Sequence, residues 1–220
     1  MKLLIGNKNY SSWSMRPWLV LSHFAIPFGE QTVPLSGPGW KENLVKLSPT
    51  GCVPVLFEGD LAIPETLAII EYVADTHPQK PVWPLSTRQR AKARSVASEM
   101  HAGFKGLRAH APMNLRASYP GRVDMELVGA DVRRLEIVLA QLLSVSGGPY
   151  LFGEFCAADA MLAPLATRLK TYAIPCSDTV QGYVAAIYQL PAFRLWLSDA
   201  LKETSIVEQD EIDFIQVRKA

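Results

Sequence analysis

Cysteine and histidine are scarce in this chain, and neither occurs at a spacing typical of metal sites. The three cysteines, Cys52, Cys156 and Cys176, stand far apart and form no CxxC pair. An odd number of widely separated cysteines is typical of a reducing cytoplasm rather than of a disulfide framework. The four histidines include no HExxH pair. We therefore predict a cytoplasmic protein without a metal site.

Long apolar runs and an excess of one charge are also missing. No apolar stretch is long enough to cross a bilayer, and the N-terminal apolar run is too short for a signal peptide. The net charge is +1, from 22 basic and 21 acidic residues, which argues against nucleic acid or an anionic membrane as the main partner. The hydrophobic content of 49% is ample for a sizeable core in one large or two small domains.

The order of strand and helix signals divides the chain into two modules. Before residue 78 the pattern predicts a strand at 3–5, a helix at 15–24, a strand at 31–35, a helix at 40–47, a hairpin at 53–63 and a helix at 65–76. After a proline-rich linker, it predicts only helices, at 88–111, around the apolar stripe between 128 and 142, and at 159–172, 179–189 and 192–201. The predicted domains are an α/β module (1–78), a linker (79–87) and an all-helical module (88–220).

Three serines lie where the first strand turns into the first helix. They belong to the run Tyr-Ser-Ser-Trp-Ser-Met-Arg-Pro-Trp at residues 10–18. A helix N-terminus favours anions, including thiolates. Because proline is tolerated only in the first helical turn, Pro17 predicts that Ser14 is the N-cap. Ser11 and Ser12 would then lie just outside the helix, as turn residues or as groups that act on a ligand.

Three further segments carry a family resemblance. Residues 48–54, Ser-Pro-Thr-Gly-Cys-Val-Pro, resemble the Asn-Pro-x-Gly-x-Val-Pro segment of glutathione transferases. The pair at 65–66, Glu-Thr, and the helix start at 155–159, Phe-Cys-Ala-Ala-Asp, resemble two other segments of that family, in the same order. The resemblance spans nearly the full chain. It implies a thioredoxin-like α/β N-terminal domain plus an all-α C-terminal domain, glutathione as cosubstrate, and a homodimer.

Within that family, residues 11–16 are similar to the zeta class, whose segment is Ser-Ser-Cys-x-x-Arg, with Trp13 at the position of the cysteine. The implied function is transfer of glutathione, as a thiolate, to a small electrophile. One alternative is a glutathione-dependent cis–trans isomerase, as in maleylacetoacetate isomerases. Another is a glutathione-binding module without catalysis.

The resemblance also implies roles for residues around the thiol of glutathione. Ser12, or else Ser11, is expected to hold the thiolate, with Tyr10 as a third possibility. Trp13 is expected beside glutathione. The backbone of Val53 is expected to pair with the cysteinyl residue as an added strand would. The resemblance further predicts a cis bond between Val53 and Pro54, although most X–Pro bonds are trans.

The remaining parts of the ligands need charged and apolar partners. Glu65 is expected to accept from the γ-glutamyl ammonium group, and Thr66 to bind the γ-glutamyl carboxylate. Lys41, or alternatively Lys46, is the candidate for the glycyl carboxylate. The predicted pocket for the second substrate has an apolar edge formed by Met100 and Phe104 and a cationic face that includes Arg108.

Overall fold

A four-stranded sheet and three helices form the first module. The computed structural model describes residues 1–212, so the part of the predicted helical domain at 213–220 lies outside the described residues. In chain order the elements are β1 (Lys2–Ile5), α1 (Ser12–His23), β2 (Gly29–Thr32), α2 (Trp40–Leu47), β3 (Val55–Glu58), β4 (Leu61–Pro64) and α3 (Thr66–Thr76).

The sheet has the strand order β2-β1-β3-β4, with β1 parallel to β2 and antiparallel to β3. Alternation along β1 sends Leu3 and Ile5 into a core with α1 and α3, while Leu4 faces a smaller cluster with Leu44 of α2. The predicted thioredoxin-like arrangement is therefore confirmed. It brings the end of β1 and the start of α1 to one edge of the module.

The second module is helical, as predicted. Its elements are α4 (Thr87–Ala102), α5 (Lys105–His110), α6 (Met125–Ser146), α7 (Ala157–Thr171), α8 (Asp178–Gln189), α9 (Pro191–Ala200) and a 3-10 turn (Glu208–Asp210). Helix α7 is almost entirely buried and packs against α1, α4 and α8, so it is the central element that joins the two modules. Within residues 1–212, no helix combines the length and apolar character needed to cross a bilayer.

The predicted helix at 88–111 is in fact two helices. Helix α4 ends before Gly103, whose N–H bonds to the carbonyl of Glu99, and Phe104 adopts a left-handed conformation with φ 53°. The guanidinium of Arg108 then donates to the carbonyls of His101 and Gly103, at 3.2 and 3.3 Å. These bonds satisfy carbonyls at the end of α4 and tie α5 to it.

The predicted start of the first helix is also wrong. Helix α1 begins at Ser12, so Ser14 lies inside it and Pro17 stands beyond the first turn. Because proline has no N–H, the carbonyl of Trp13 loses its helical donor. The hydroxyl of Thr66 replaces that donor at 3.0 Å. A tertiary contact thus makes the internal proline acceptable.

The approach of α5 to α6 depends on the absence of a side chain at Gly106. A Cβ there would lie 2.4 Å from the carbonyl oxygen of Leu127. We expect Gly106→Ala to lower the free energy of unfolding by about 1–3 kcal/mol, because α5 must shift. The matched control is Gly182→Ala in α8, where a Cβ meets nothing within 4 Å, and it should stabilise by about 0.5–1 kcal/mol. Equal stability of the two variants in urea unfolding would contradict this packing account.

Candidate functional site

A cavity of about 720 Å³ opens between the two modules, within the size range of small-molecule sites. The first module contributes the start of α1 and the loop before β3. The second module contributes α5, the C-terminal end of α7 and the 3-10 turn. Ser11, Ser12, Trp13 and Val53 therefore line one cavity together with Arg108, as their predicted roles require.

The two serines differ in their hydrogen bonds. The hydroxyl of Ser11 donates to Oγ of Ser14 at 2.8 Å, and Ser14 also accepts the N–H of Gly6 at 3.2 Å. The hydroxyl of Ser12 forms no hydrogen bond within the described chain. Ser12 is the first residue of α1, where backbone N–H groups have no helical acceptor. The Ser12 hydroxyl is thus the one free to donate to a ligand in the cavity.

A buried guanidinium lies directly behind these serines. Arg16 is 1% exposed and donates to the carbonyls of Ser12, at 2.8 Å, and Met161, at 3.0 Å, and to Sδ of Met100, at 3.0 Å. Burial lowers the pKa of Arg16 well below its usual value, and the charges of Arg168 and Arg108 lower it further. Since arginine keeps its proton in proteins, it places a positive charge where an anion would bind.

Trp13 contacts two arginines. Its ring lies 4.2 Å from the guanidinium carbon of Arg16 and 4.9 Å from that of Arg108, and the ring of His101 meets it edge-on at 5.2 Å. The face of an indole ring attracts a cation electrostatically. The indole at the position of the zeta-class cysteine therefore orients Arg108 on the cavity wall.

The backbone segment before β3 is free to pair with a ligand. The Val53–Pro54 bond is cis, which confirms that prediction. Val53 lies on the cavity wall, and its N–H and carbonyl have no hydrogen-bond partner in the described chain. An extended peptide can therefore pair with this residue.

Glu65 and Thr66 lie at the start of α3, beside Trp13. Glu65 is the N-cap, and its Oε2 accepts from the N–H of Leu67 at 3.0 Å, while its Oε1 lies 3.4 Å from Nδ1 of His101. Its φ of 84° is unusual for a non-glycine residue and costs about 1–3 kcal/mol, a strain often found at ligand sites. Thr66 sits at the first helical position, whose N–H suits a carboxylate.

The other predicted residues lie further from the cavity. Lys41 is exposed on α2, with Nζ 5.5 Å from the ring of Trp40, a cavity residue. Lys46 borders a different cavity near Met1. Met100 and Phe104 are buried in the core. These last two do not line the cavity.

Two charged cavity residues were missed by sequence reasoning, Arg168 and Asp210. Burial lowers the pKa of Arg168 to about 10 and raises the pKa of Asp210 to about 6. An arginine in the largely buried helix α7 was a usable signal for Arg168. Asp210 stands in an irregular polar segment and carried no comparable signal.

Comparisons with known proteins agree with this architecture. Residues 10–76 match the family model for the glutathione S-transferase N-terminal domain. Glutathione S-transferase 1 of Dianthus caryophyllus is 30% identical over 167 residues, 74% of this chain and 75% of that protein. A probable maleylacetoacetate isomerase of Caenorhabditis elegans is 29% identical over 189 residues, 83% of this chain and 86% of that protein.

A solved structure shows the same fold. The crystal structure of maleylacetoacetate isomerase from Methylobacterium extorquens AM1, with bound malonate and GSH, has a TM-score of 0.69 at 22% identity. It covers 94% of this chain and 100% of that chain. With a relative 30% identical over three quarters of its own length, the chain belongs to the glutathione S-transferase family.

Proposed function

We propose that this protein is a serine-type glutathione transferase in which Ser12 holds the glutathione thiolate. The observation that carries the proposal is the unpaired Ser12 hydroxyl at the start of α1, on the wall of the cavity. Lowering a thiol pKa from about 8.5 by two units requires about 2.7 kcal/mol. A hydroxyl bonded to a charged group supplies about 1.5–3 kcal/mol, and a helix N-terminus about 0.3–1 kcal/mol.

The family resemblance supports the remaining proposed glutathione contacts. The backbone of Val53 pairs with the cysteinyl residue. The α3 start at Thr66 holds the γ-glutamyl carboxylate, and Glu65 accepts from the ammonium group. Lys41 reaches the glycyl carboxylate from the exposed face of α2. Trp13 packs beside the ligand. If calorimetry detects no glutathione binding at millimolar concentration, this arrangement is wrong and the chain is a non-catalytic module.

The cations of the cavity indicate an acidic second substrate. Lys105 and Arg108 of α5 and Arg168 of α7 all lie on its wall. Carboxylates pair well with guanidinium groups, and a similarly folded isomerase holds malonate together with GSH. We therefore propose these three cations, rather than Met100 and Phe104, as the contacts that select the second substrate.

The same cations favour isomerisation of an unsaturated diacid as a second candidate function. The thiolate would add to the double bond, the resulting carbanion would permit rotation, and elimination would regenerate the thiolate. Turnover of maleylacetoacetate by the purified protein, with glutathione unchanged in amount, would distinguish isomerisation from conjugation.

We further propose a cytoplasmic homodimer. The three cysteines are free, as expected for a reducing compartment, and the family resemblance supports the dimer. Light scattering of the purified protein tests the dimer directly: a monomeric mass at micromolar concentration would contradict it.

Arg108 is expected to select for the acidic substrate. Two electrophiles of similar shape, neutral chlorodinitrobenzene and anionic chlorodinitrobenzoate, distinguish the effect of substrate charge from a general effect on the reaction. Arg108→Gln should lower kcat/KM for the benzoate by about tenfold, because one cation facing the carboxylate is lost, and change the neutral reaction by less than about twofold. Arg133→Gln, which removes a charge from the exposed surface of α6, is the matched control. Equal losses with both electrophiles would show that Arg108 acts only on the structure.

A further inference from the structure

The cavity contains its own acidic group next to its cations. Among the described residues that line it, Asp210 is the one acid. Arg168 reaches the same cavity from α7. It is 4% exposed, its Nη1 donates to the carbonyl of Pro164 at 2.9 Å, and its Nε is buried without a hydrogen-bond partner in the described chain. Leaving a buried guanidinium donor unpaired is costly, so the positive charge of Arg168 favours a nearby anion, and the charge of Asp210 acts on it.

The segment that carries Asp210 is fixed to both modules. Before the 3-10 turn, the carboxylate of Glu203 accepts the N–H groups of Lys8 and Asn9 at 2.7 and 2.9 Å. After the turn, Glu211 accepts from the hydroxyl of Tyr10 at 2.5 Å, from that of Tyr119 at 2.6 Å and from the amide of Asn114 at 3.0 Å. Anchored on both sides, the turn holds Asp210 on the cavity wall.

We propose that Asp210 is a specificity-determining residue that acts as the internal counter-ion of the cavity arginines. The carboxylate of an acidic second substrate pairs with these arginines when it displaces Asp210 or when Asp210 is protonated. The inference rests on the proposed function and concerns the same cavity. When Asp210 is ionised it neutralises part of the cationic wall and repels the substrate carboxylate. When it is neutral, Arg168 and Arg108 are both available to the substrate.

The state of Asp210 depends on pH near neutrality. Burial raises its pKa to about 6, while the charge of Arg168 opposes that rise and Glu211 adds to it. The other ionisable groups near this part of the cavity are Arg168 of α7, Tyr172 just after α7, Lys105 and Arg108 of α5, and Tyr10 of the loop before α1. With a pKa of about 10, Arg168 keeps its positive charge through this range, and burial raises the pKa of Tyr10 above its usual value, so its hydroxyl stays neutral.

The sign of the effect follows from the raised pKa. Below about pH 6 the carboxyl of Asp210 is protonated, and the wall attracts an anionic electrophile strongly. As the pH rises, Asp210 ionises and preference for the anionic electrophile falls. Because both electrophiles use the same glutathione thiolate, the ratio of their kcat/KM values cancels the ionisation of the thiol.

The test compares that ratio, kcat/KM for chlorodinitrobenzoate over kcat/KM for chlorodinitrobenzene, in the unmodified protein and in Asp210→Asn. For the unmodified protein we expect the ratio to fall about fivefold between about pH 5.5 and about pH 7.5. In Asp210→Asn the ratio should stay high and should not change with pH. Glu208→Gln removes an exposed carboxylate from the same turn and should behave like the unmodified protein. A ratio in Asp210→Asn that keeps the original pH dependence overturns the inference.

A binding measurement separates this inference from the proposed function. Calorimetric titration with chlorodinitrobenzoate, without glutathione and at about pH 7.5, needs no catalysis. Its affinity should rise about fivefold in Asp210→Asn, because a like charge is removed. If neither electrophile is turned over but this affinity rises, the proposed function is wrong and the role of Asp210 stands. If turnover is normal and the affinity is unchanged, the role of Asp210 is wrong.

Discussion

Ser12→Ala is expected to lower kcat/KM for chlorodinitrobenzene by about 10- to 100-fold. The reason is the loss of the hydroxyl that donates to the thiolate, a hydrogen bond to a charged group worth about 1.5–3 kcal/mol. The fold should be unaffected, because this hydroxyl has no partner in the described protein and α1 keeps its backbone bonds. The measurement is steady-state kinetics at saturating glutathione, with thermal melting as the check on folding.

Ser11→Ala is the matched comparison for that prediction. The hydroxyl of Ser11 is already engaged with Ser14 at 2.8 Å, so its loss should reduce kcat/KM much less than the loss of the Ser12 hydroxyl. Ser14 retains the N–H of Gly6 as a donor. If Ser11→Ala shows the large loss and Ser12→Ala does not, the hydroxyl that holds the thiolate is the one that aligns with the first zeta-class serine.

Asp159→Ala is expected to lower the free energy of unfolding by about 3–5 kcal/mol, because several buried donors would lose a charged acceptor at once. The carboxylate accepts the N–H groups of Leu151 and Cys156, each at 3.0 Å, and the hydroxyl of Tyr183 at 3.2 Å. Asp159 and Cys156 form the capping box at the start of α7. Since α7 packs against α1, its loosening would also disturb the cavity.

Urea unfolding of Asp159→Ala and Asp159→Asn tests this role. The asparagine keeps one acceptor oxygen and should recover part of the loss. Asp178→Ala, in the first turn of α8, removes an exposed acid from another helix start and should cost less than about 1 kcal/mol. A loss at Asp159 no larger than that at Asp178 would contradict a central role for the α7 cap.

Much of the fold follows from local patterns, and the failures have tertiary causes. The helix at Trp40–Leu47 has the predicted bounds, since its signals are local. The start of α1 was misplaced because the rule for Pro17 takes no account of a distant donor, here the hydroxyl of Thr66. The break after α4 was missed because Phe104 is not a residue that predicts a left-handed conformation.

The candidate site was predictable to the extent that its residues adjoin recognisable segments. Ser11, Ser12, Val53 and Glu65 lie within or beside motifs, and the fold gathers the first three on one cavity wall. Asp210 was not predictable, because its place depends on contacts with residues some two hundred positions earlier, such as Tyr10 with Glu211. Local sequence does not encode such contacts.

The pKa of the glutathione thiol in the complex tests the central claim most directly. Ultraviolet absorbance of the thiolate, titrated against pH with saturating protein, reports it without a second substrate. With the unmodified protein the thiol pKa should lie about two units below the free value of about 8.5, and in Ser12→Ala it should rise by at least about one unit. A thiol pKa that is the same in both proteins would contradict the assignment of Ser12 as the residue that holds the thiolate.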